Sequence, residues 1–335
     1  MTKKLIGKLI FLLCIVSVFG KKLNSQKSLI RNKSQLQHDF QKFKKTYSKS
    51  YESNEHESYR FNVFIENIKQ ADRLNKENPS AEYGITQFSD YTKEEFLSIY
   101  ANAQLPNQAD IFDSYVQNTS GTEETQVNLP QKWDIRANGP GKLQQVKNQG
   151  SCGSCWAFSI TSTVENLYSF KKNQIINLSE QQQVDCTQKN RDGCNGGWFT
   201  TGYDYVKNTG LAISSRYPYI GMYGVCRDQQ VGQLYKINGY KNLPNDPNSI
   251  KQALVTNGAI SIPVDASNWM YYRSGIFSDR FSNQMNKAAT IIGYDSNYWL
   301  IRNTWGADWG EMGHIRVAND GTGGIYLQYA FQPNL

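Results

Sequence analysis

Two cysteines lie three residues apart in a stretch of glycines and small hydroxyl residues, Gln149-Gly-Ser-Cys152-Gly-Ser-Cys155. The apolar residues that follow, from Trp156 to Tyr168, favour a long and largely buried helix that begins near Cys155. A thiol in the first turn of a helix faces backbone N–H groups without intrahelical partners and the positive end of the helix dipole, which stabilise a thiolate. The sequence therefore predicts that Cys155 is a nucleophile.

A Cys-x-x-Cys pair also occurs in thioredoxin-like dithiols and in zinc sites. The first needs a strand–helix–strand context, and the second needs another close pair of cysteines or histidines. The sequence around Cys152 and Cys155 offers neither, and the whole chain has three histidines. We therefore expect no metal ion and no cofactor at this site.

The length and charge of the chain limit the classes of protein to consider. A chain of 335 residues is long enough for two folded units, and its net charge of +7 is mild. Five lysines and no acidic residue lie within residues 1–22, so part of the charge belongs to the N-terminal segment. The sequence has no basic run with interleaved aromatic residues, so we expect no nucleic-acid partner.

The N-terminal segment has three early lysines, an apolar run of eleven residues from Leu9 to Phe19, and then Gly20. This run is too short to span a bilayer, whereas the charged start and short apolar core are typical of a secretory signal peptide. We expect residues 1–20 to be a signal peptide, with an uncleaved membrane anchor as the alternative. Its removal discards Cys14 and leaves five cysteines, which suggests two disulfides and one free thiol in an oxidising compartment. We expect the protein in the secretory pathway, and finally in a lysosome- or vacuole-like compartment or outside the cell.

Residues 35–100 have the pattern of a small helical domain. Apolar residues recur there at three- and four-residue spacing, and Asn78-Pro79 ends the pattern. Residues 101–128 lose this periodicity and are rich in Asn, Gln, Ser and Thr, which predicts an exposed, protease-accessible linker. From Leu129 onward a helical half precedes a β-rich half. This α+β pattern predicts two lobes that meet at a cleft, where catalytic sites often lie.

Three motifs together resemble one known family. The stretch from Gln149 to Trp156 is similar to the active-site signature of papain and the cathepsins. Asn303-Thr-Trp-Gly306, which begins 148 residues after Cys155, resembles the family's Asn-Ser-Trp-Gly element. Cys194-Asn-Gly-Gly197 resembles its substrate-binding glycine loop. The resemblance implies that residues 129–335 form a papain-like domain with a helical left lobe and a β-barrel-like right lobe.

The preceding region resembles the inhibitory propeptide of the same family. Four residues fit the spacing of its first helical motif, namely Arg60, Phe64, Asn67 and Asn75. The stretch from Gly84 to Asp90 is similar to its second motif, with Thr86 where Asn is usual. The resemblance implies that residues 35–100 are an inhibitor-like helical prodomain that lies through the cleft, and that 101–128 is the activation linker.

The resemblance also implies the roles of individual residues. Cys155 is the expected nucleophile, Gln149 the donor to the oxyanion, Asn303 the residue that orients the base, and Trp305 the shield of that hydrogen bond. Gly196 and Gly197 lack side chains, so that an extended substrate backbone can pair there. The implied disulfide bonds pair Cys152 with Cys194 and Cys186 with Cys226.

One position departs from the family pattern. A histidine is expected sixteen residues before Asn303, and Lys287 stands there instead. The ordinary pKa of lysine is about 10.4, against about 6.5 for histidine, so Lys287 is a poor match for acid–base catalysis near neutral pH. An ammonium group can still attract a Cys155 thiolate, and burial can lower a lysine pKa. His314 lies in a strand where the family usually has tyrosine, and we expect a structural role for it.

These residues support two functions. The first is a cysteine endopeptidase, made as a zymogen, that cleaves polypeptides through a thioester and has reduced or altered activity because of Lys287. The second is a catalytically inactive homologue that binds peptides or proteins in the same groove. The first is favoured by the retention of four residues, Cys155, Gln149, Asn303 and Trp305, whereas Lys287 favours the second. In either case we expect a monomer.

Overall fold

The computed structural model describes residues 32–102, 128–187, 193–279 and 284–335. The predicted signal peptide and nearly all of the predicted linker lie outside these residues. The described chain belongs to two compact units that divide between Phe61 and Asn62.

The first unit contains helix α1 (Lys33–Thr46) and the beginning of helix α2 (Asn54–Glu77). The ring of Phe40 lies 5.0 Å from that of Phe61, so the apolar faces of the two helical segments pack together. Lys44 and Glu57 form an ion pair of 2.6 Å at the edge of this contact. The spacing of the aromatic residues thus predicts this helical pair correctly.

The second unit contains the rest of α2 and six further helices among its described residues. They are α3 (Lys93–Tyr100), α4 (Ile135–Asn138), α5 (Cys155–Lys172), α6 (Glu180–Cys186), α7 (Phe199–Asn208) and α8 (Pro247–Asn257). Helix α3 begins with a capping box in which Thr92 and Glu95 each accept from the other's backbone N–H. In the part of the chain that the structure describes, no helix is long and apolar enough to cross a membrane.

The same unit contains one sheet of nine strands in the described chain. They are β1 (Ala81–Tyr83), β2 (Trp133–Asp134), β3 (Gly239–Asn242), β4 (Ile260–Val264), β5 (Tyr272–Phe277), β6 (Lys287–Tyr294), β7 (Tyr298–Arg302), β8 (His314–Ala318) and β9 (Phe331–Asn334). The strand order is β1-β5-β8-β7-β6-β4-β9-β3, and β2 pairs with β6. Strands β5 and β8 are parallel and the other pairs are antiparallel.

The second unit contains two large apolar cores, one for each of the two predicted lobes. One is helical and lies around Trp156, Val164 and Tyr203, and the other is built on the sheet around Ile291 and Ile301. This arrangement confirms the predicted papain-like α+β fold with propeptide helices. The sheet itself is open and runs from β1 to β3, whereas the resemblance led us to expect a barrel-like lobe. The strand pattern fixes which residues are buried, but it does not determine whether the edge strands meet.

The second half of the predicted prodomain packs within the second unit. Strand β1 extends the sheet along β5, with Ala81 opposite Gly275. The backbone N–H of Gly84 donates to Tyr271 O at 2.9 Å, and Ile276 N–H donates to Ser80 O at 2.7 Å. Residues of the prodomain thus form the outermost strand of the sheet.

Candidate active site

Cys155 is the first residue of α5, as the sequence predicts. Its backbone N–H is therefore among the four at the helix start that lack intrahelical partners. The Cys152–Cys194 disulfide holds the preceding loop, and Gly153 N–H donates to Cys194 O at 2.7 Å. A Cβ on Gly153 would lie 2.3 Å from that carbonyl oxygen, so only glycine fits there. Cys155 keeps a free thiol that is buried in this structure.

Strand β6 places Lys287 and Ala288 beside Cys155. The backbone N–H of Ala288 donates to Cys155 Sγ at 3.3 Å. Since all eight residues of β6 are buried, the strand lies in the interior, and it brings the first of them, Lys287, to the start of α5. The position sixteen residues before Asn303 is thus next to the thiol in space.

The amine of Lys287 is fully enclosed, with a side chain that is 0% exposed. Its Nζ donates to Gln149 Oε1 at 3.0 Å and to Thr304 Oγ1 at 2.9 Å, and it lies 4.4 Å from the centroid of the Trp305 ring. Burial lowers the pKa of Lys287 to about 8, while the charge of Cys155 acts in the opposite direction. Lys287 is therefore much closer to neutrality at physiological pH than an exposed lysine.

Both the nitrogen and the oxygen of the Gln149 side-chain amide make hydrogen bonds. Its Nε2 donates to Cys152 O at 2.9 Å, and its Oε1 accepts from Lys287 Nζ and from the Thr304 hydroxyl. Its backbone N–H donates to Thr304 O at 2.9 Å. The amide nitrogen that the resemblance assigns to the oxyanion is thus directed at the loop carbonyl of Cys152 in this structure.

Asn303 does not contact Lys287 in the way the resemblance implies for a base and its orienting residue. Its Oδ1 accepts from Thr304 N–H at 2.8 Å, and its Nδ2 is buried without a hydrogen-bond partner in the described chain. The four-carbon stem of lysine carries its nitrogen farther from β6 than an imidazole reaches. Lys287 therefore passes Asn303 and bonds to Gln149 and Thr304 instead.

Thr304 is a site residue that the sequence motifs do not single out. Its buried hydroxyl accepts from Lys287 and donates to Gln149, so it joins the two side chains. The signal that could have found it is its position directly after Asn303 in the Asn-Thr-Trp-Gly element. A hydroxyl adjacent to a residue with an expected site role can reach the same partners.

Trp305 is enclosed by aromatic residues of the predicted prodomain and of the predicted papain-like domain. The prodomain rings of Phe88 and Phe96 lie 5.0 and 5.3 Å from the ring of Trp305, and Trp309 lies at 4.9 Å. The prodomain residue Gln87 donates its Nε2 to Trp305 O at 3.2 Å. The prodomain therefore covers the side of the site on which Trp305 and Lys287 lie.

The other residues of the predicted site lie in the following loops. Gly196 and Gly197 are buried just beyond Cys194, and Gly196 has a φ of 104°, which favours glycine. Cys186 and Cys226 form the second disulfide. Both disulfides are the pairs that the resemblance implies. A substrate-binding role for the two glycines stays a prediction.

His314 lies apart from the thiol and does not take the place of the missing histidine. Its Nδ1 lies 3.2 Å from Glu311 O and 3.4 Å from Arg136 Nη1. Burial, and then the charges of Arg136 and Arg302, lower the pKa of His314 to about 4. It is therefore neutral at physiological pH and has a structural position in the sheet.

Comparison with known protein families gives two matches. Residues 129–331 match the model described as papain family cysteine protease, and residues 40–96 match the cathepsin propeptide inhibitor domain. Vignain from Vigna mungo is 37% identical over 270 residues, which covers 77% of this chain and 73% of that protein.

Solved structures include similar proforms. The recombinant stem bromelain precursor superimposes with a TM-score of 0.76 and 33% identity, covering 90% of this chain and 99% of that one. Digestive procathepsin L 3 from the larval midgut of Tenebrio molitor gives a TM-score of 0.73 and 29% identity, with 90% and 99% of the two chains covered.

Proposed function

This chain belongs to the papain family of cysteine proteases and carries that family's propeptide, and from this premise we propose that Cys155 cleaves peptide bonds with Lys287 as its proton-transfer partner. The observation that carries the proposal is the burial of an amine of lowered pKa beside a free thiol at a helix start. Because the amine is a lysine, we expect turnover to be slower than with a histidine at the same position.

Acylation begins with attack of the Cys155 sulfur on the substrate carbonyl carbon. The developing oxyanion takes hydrogen bonds from the Cys155 backbone N–H and from Gln149 Nε2, which must leave Cys152 O to do so. Protonated Lys287 gives a proton to the departing amine, and a thioester remains on Cys155. A lysine of pKa about 8 gives its proton less readily than histidine does, and this lowers the rate of acylation.

Deacylation requires a base, and a buried lysine of lowered pKa is better suited to this role than to the role of the acid in acylation. Once Cys155 is acylated, its negative charge no longer holds up the pKa of Lys287, while burial still lowers that pKa. The neutral amine then takes a proton from the attacking water, and the thioester is hydrolysed. Lys287 thus changes from a weak acid in the first step to a competent base in the second.

The prodomain supports synthesis as a zymogen. Phe88, Phe96 and Gln87 contact Trp305, so access to the adjacent thiol requires displacement of this segment. We propose that cleavage within the linker, residues 101–128, releases the prodomain. The two disulfides support maturation in the secretory pathway, because such bonds persist in oxidising compartments.

The test uses the full chain after limited proteolysis within residues 101–128. A thiol-directed epoxide inhibitor should label Cys155, and a fluorogenic dipeptide amide should be cleaved faster than by Cys155→Ala prepared in the same way. Turnover no greater than that of the Cys155→Ala control would reject peptide hydrolysis. Labelling at a cysteine other than Cys155 would reject its assignment as nucleophile.

One observation favours a second function, the binding of peptides without cleavage. Lys287 donates to Gln149 and Thr304 and makes no hydrogen bond to Cys155 or Asn303 among the described residues. If this arrangement persists after activation, Gln149 Nε2 stays bonded to Cys152 O and does not serve the oxyanion. The processed Cys155→Ala and wild-type proteins would then bind an uncleaved peptide with equal affinity, and neither would release a product.

A further inference from the structure

We propose that Lys287 also acts as an acyl acceptor. In a fraction of the molecules, the acyl group carried by Cys155 transfers to Lys287 Nζ and stays attached there through an amide bond. This inference rests on the proposed function, because it requires a thioester on Cys155. It assigns to the chain a self-acylation site and a peptide-derived acyl group as its ligand.

Lys287 is close to the place where the thioester carbonyl must lie. The neighbouring backbone N–H of Ala288 is 3.3 Å from Cys155 Sγ, which puts the start of β6 against the sulfur. Lys287 Nζ is 3.0 Å from Gln149 Oε1, and the amide nitrogen of the same Gln149 is the proposed oxyanion donor. A carbonyl oxygen bound by Gln149 therefore brings the acyl carbon near the amine.

The hydrogen bonds of Lys287 leave its lone pair available. A neutral amine has two N–H groups, and the acceptors Gln149 Oε1 and Thr304 Oγ1 match that number. The side chain is 0% exposed, so bulk water does not solvate the nitrogen. Cys155 is the charged group that acts on Lys287 within the described chain, and acylation removes its charge.

Burial favours the neutral amine of Lys287. With a pKa of about 8, Lys287 is unprotonated at pH 7 far more often than an exposed lysine. Loss of the Cys155 thiolate on acylation increases this fraction further. The thioester and a nucleophilic nitrogen therefore exist together in one enclosed site, where proximity accelerates their reaction.

The transfer is balanced without any further reagent. The Lys287 lone pair attacks the thioester carbon, the C–N bond forms, and the C–S bond breaks with its electron pair on sulfur. The proton that Nζ loses goes to Sγ, so Cys155 returns as a thiol. A histidine at this position would give an acyl-imidazole that water hydrolyses, whereas the amide on Lys287 persists and blocks the site.

The experiment loads Cys155 with the p-nitrophenyl ester of a blocked dipeptide, because p-nitrophenolate leaves without an acid catalyst. The reaction of the full chain, cleaved within residues 101–128, is followed by p-nitrophenol release and by intact mass. The denatured product is then treated with hydroxylamine, which cleaves thioesters and spares amides. We expect a burst of p-nitrophenol and one hydroxylamine-resistant acyl group that fragmentation maps to Lys287. Its share should rise from pH 7 to pH 9.

Two variants serve as controls. Cys155→Ala should lose the resistant adduct, because the acyl group reaches Lys287 only through the thioester on Cys155. Lys287→Arg keeps a cation but has no neutral amine at these pH values, and it should carry only the hydroxylamine-labile adduct.

The outcomes separate the two proposals. A burst followed by a wholly labile adduct overturns the acyl transfer and leaves Cys155 as the nucleophile. A resistant adduct that maps to another lysine, or that persists in Cys155→Ala, also overturns it. The absence of any burst rejects the proposed function and, with it, this inference.

Discussion

Lys287 and Gln149 share a hydrogen bond of 3.0 Å, so the residue at the histidine position holds the side chain proposed to stabilise the oxyanion. This contact uses the amide oxygen of Gln149, whereas the amide nitrogen is bonded to Cys152 O and must leave it before it can bind the oxyanion. Lys287 therefore sets the position of the Gln149 side chain without occupying its donor.

Replacement of Lys287 by histidine should increase amide hydrolysis. An imidazole has a pKa near neutrality, so it transfers protons more readily than Lys287 at physiological pH. We expect kcat/KM for a fluorogenic dipeptide amide to rise by about 10²-fold to 10⁴-fold. Lys287→Arg is the matched control and should lower it, and equal activity of the His variant and the wild type would show that position 287 does not limit the rate.

The pH dependence of deacylation should report the titration of Lys287. Burial places its pKa at about 8, below the ordinary 10.5, so the base form is scarce below pH 8 and dominates above it. Acylation removes the Cys155 charge that raises this pKa, so steady-state hydrolysis of a p-nitrophenyl ester should rise with pH to a midpoint no higher than about 8. In Lys287→His the rise should have its midpoint near pH 6.5. A wild-type profile that is flat between pH 5 and 9 contradicts a base role for Lys287.

Thr304→Val should destabilise the protein because it removes a hydrogen-bond acceptor from a buried amine. Lys287 is fully enclosed, so its N–H group has no water to replace the hydroxyl. We expect a loss of about 1–3 kcal/mol in the free energy of unfolding, measured by denaturant titration of the proform. Thr304→Ser keeps the hydroxyl and should lose far less, and similar losses in the two variants would assign the effect to packing.

Phe96→Ala should loosen the prodomain over the site. Phe96 is buried, and its ring packs at 5.3 Å from Trp305 and 5.1 Å from Phe88. Removing a buried phenylalanine costs about 3–5 kcal/mol, and here the cost falls on the contact that covers Trp305. Alkylation of Cys155 in the unprocessed chain should become faster. The exposed Ser98→Ala in the same helix is the control, and equal alkylation rates would contradict a covering role for Phe96.

Local patterns were sufficient to predict part of the structure around the candidate site. The position of Cys155 at the start of a helix was predictable because a glycine-rich turn followed by an apolar helix is a continuous signal in the sequence. The helical pair around Phe40 was predictable from its aromatic spacing for the same reason. The position of Lys287 followed from its distance to Asn303 along the chain.

The partners of Lys287 were not predictable in this way. Gln149 and Thr304 are 138 and 17 residues away in the sequence, and the contact depends on how far a lysine stem reaches across the site. Asn303 was expected to hold the residue at 287, but that expectation assumed the length of an imidazole. Closure of the sheet also escaped prediction, because alternation of buried residues is the same in open and closed sheets.

The pairing of β1 with β5 changes the character of the sheet when the prodomain departs. Strand β5 then becomes an edge strand, and the backbone groups that bonded to Ser80 and the prodomain strand face solvent. Exposed edges invite pairing with other chains, and an outward charge discourages it. Arg273, which lies 3.5 Å from Glu82 in the proform, is exposed on that edge. On activation, Arg273 would thus lose its ion-pair partner in the prodomain and become an exposed charge that discourages aggregation along this edge.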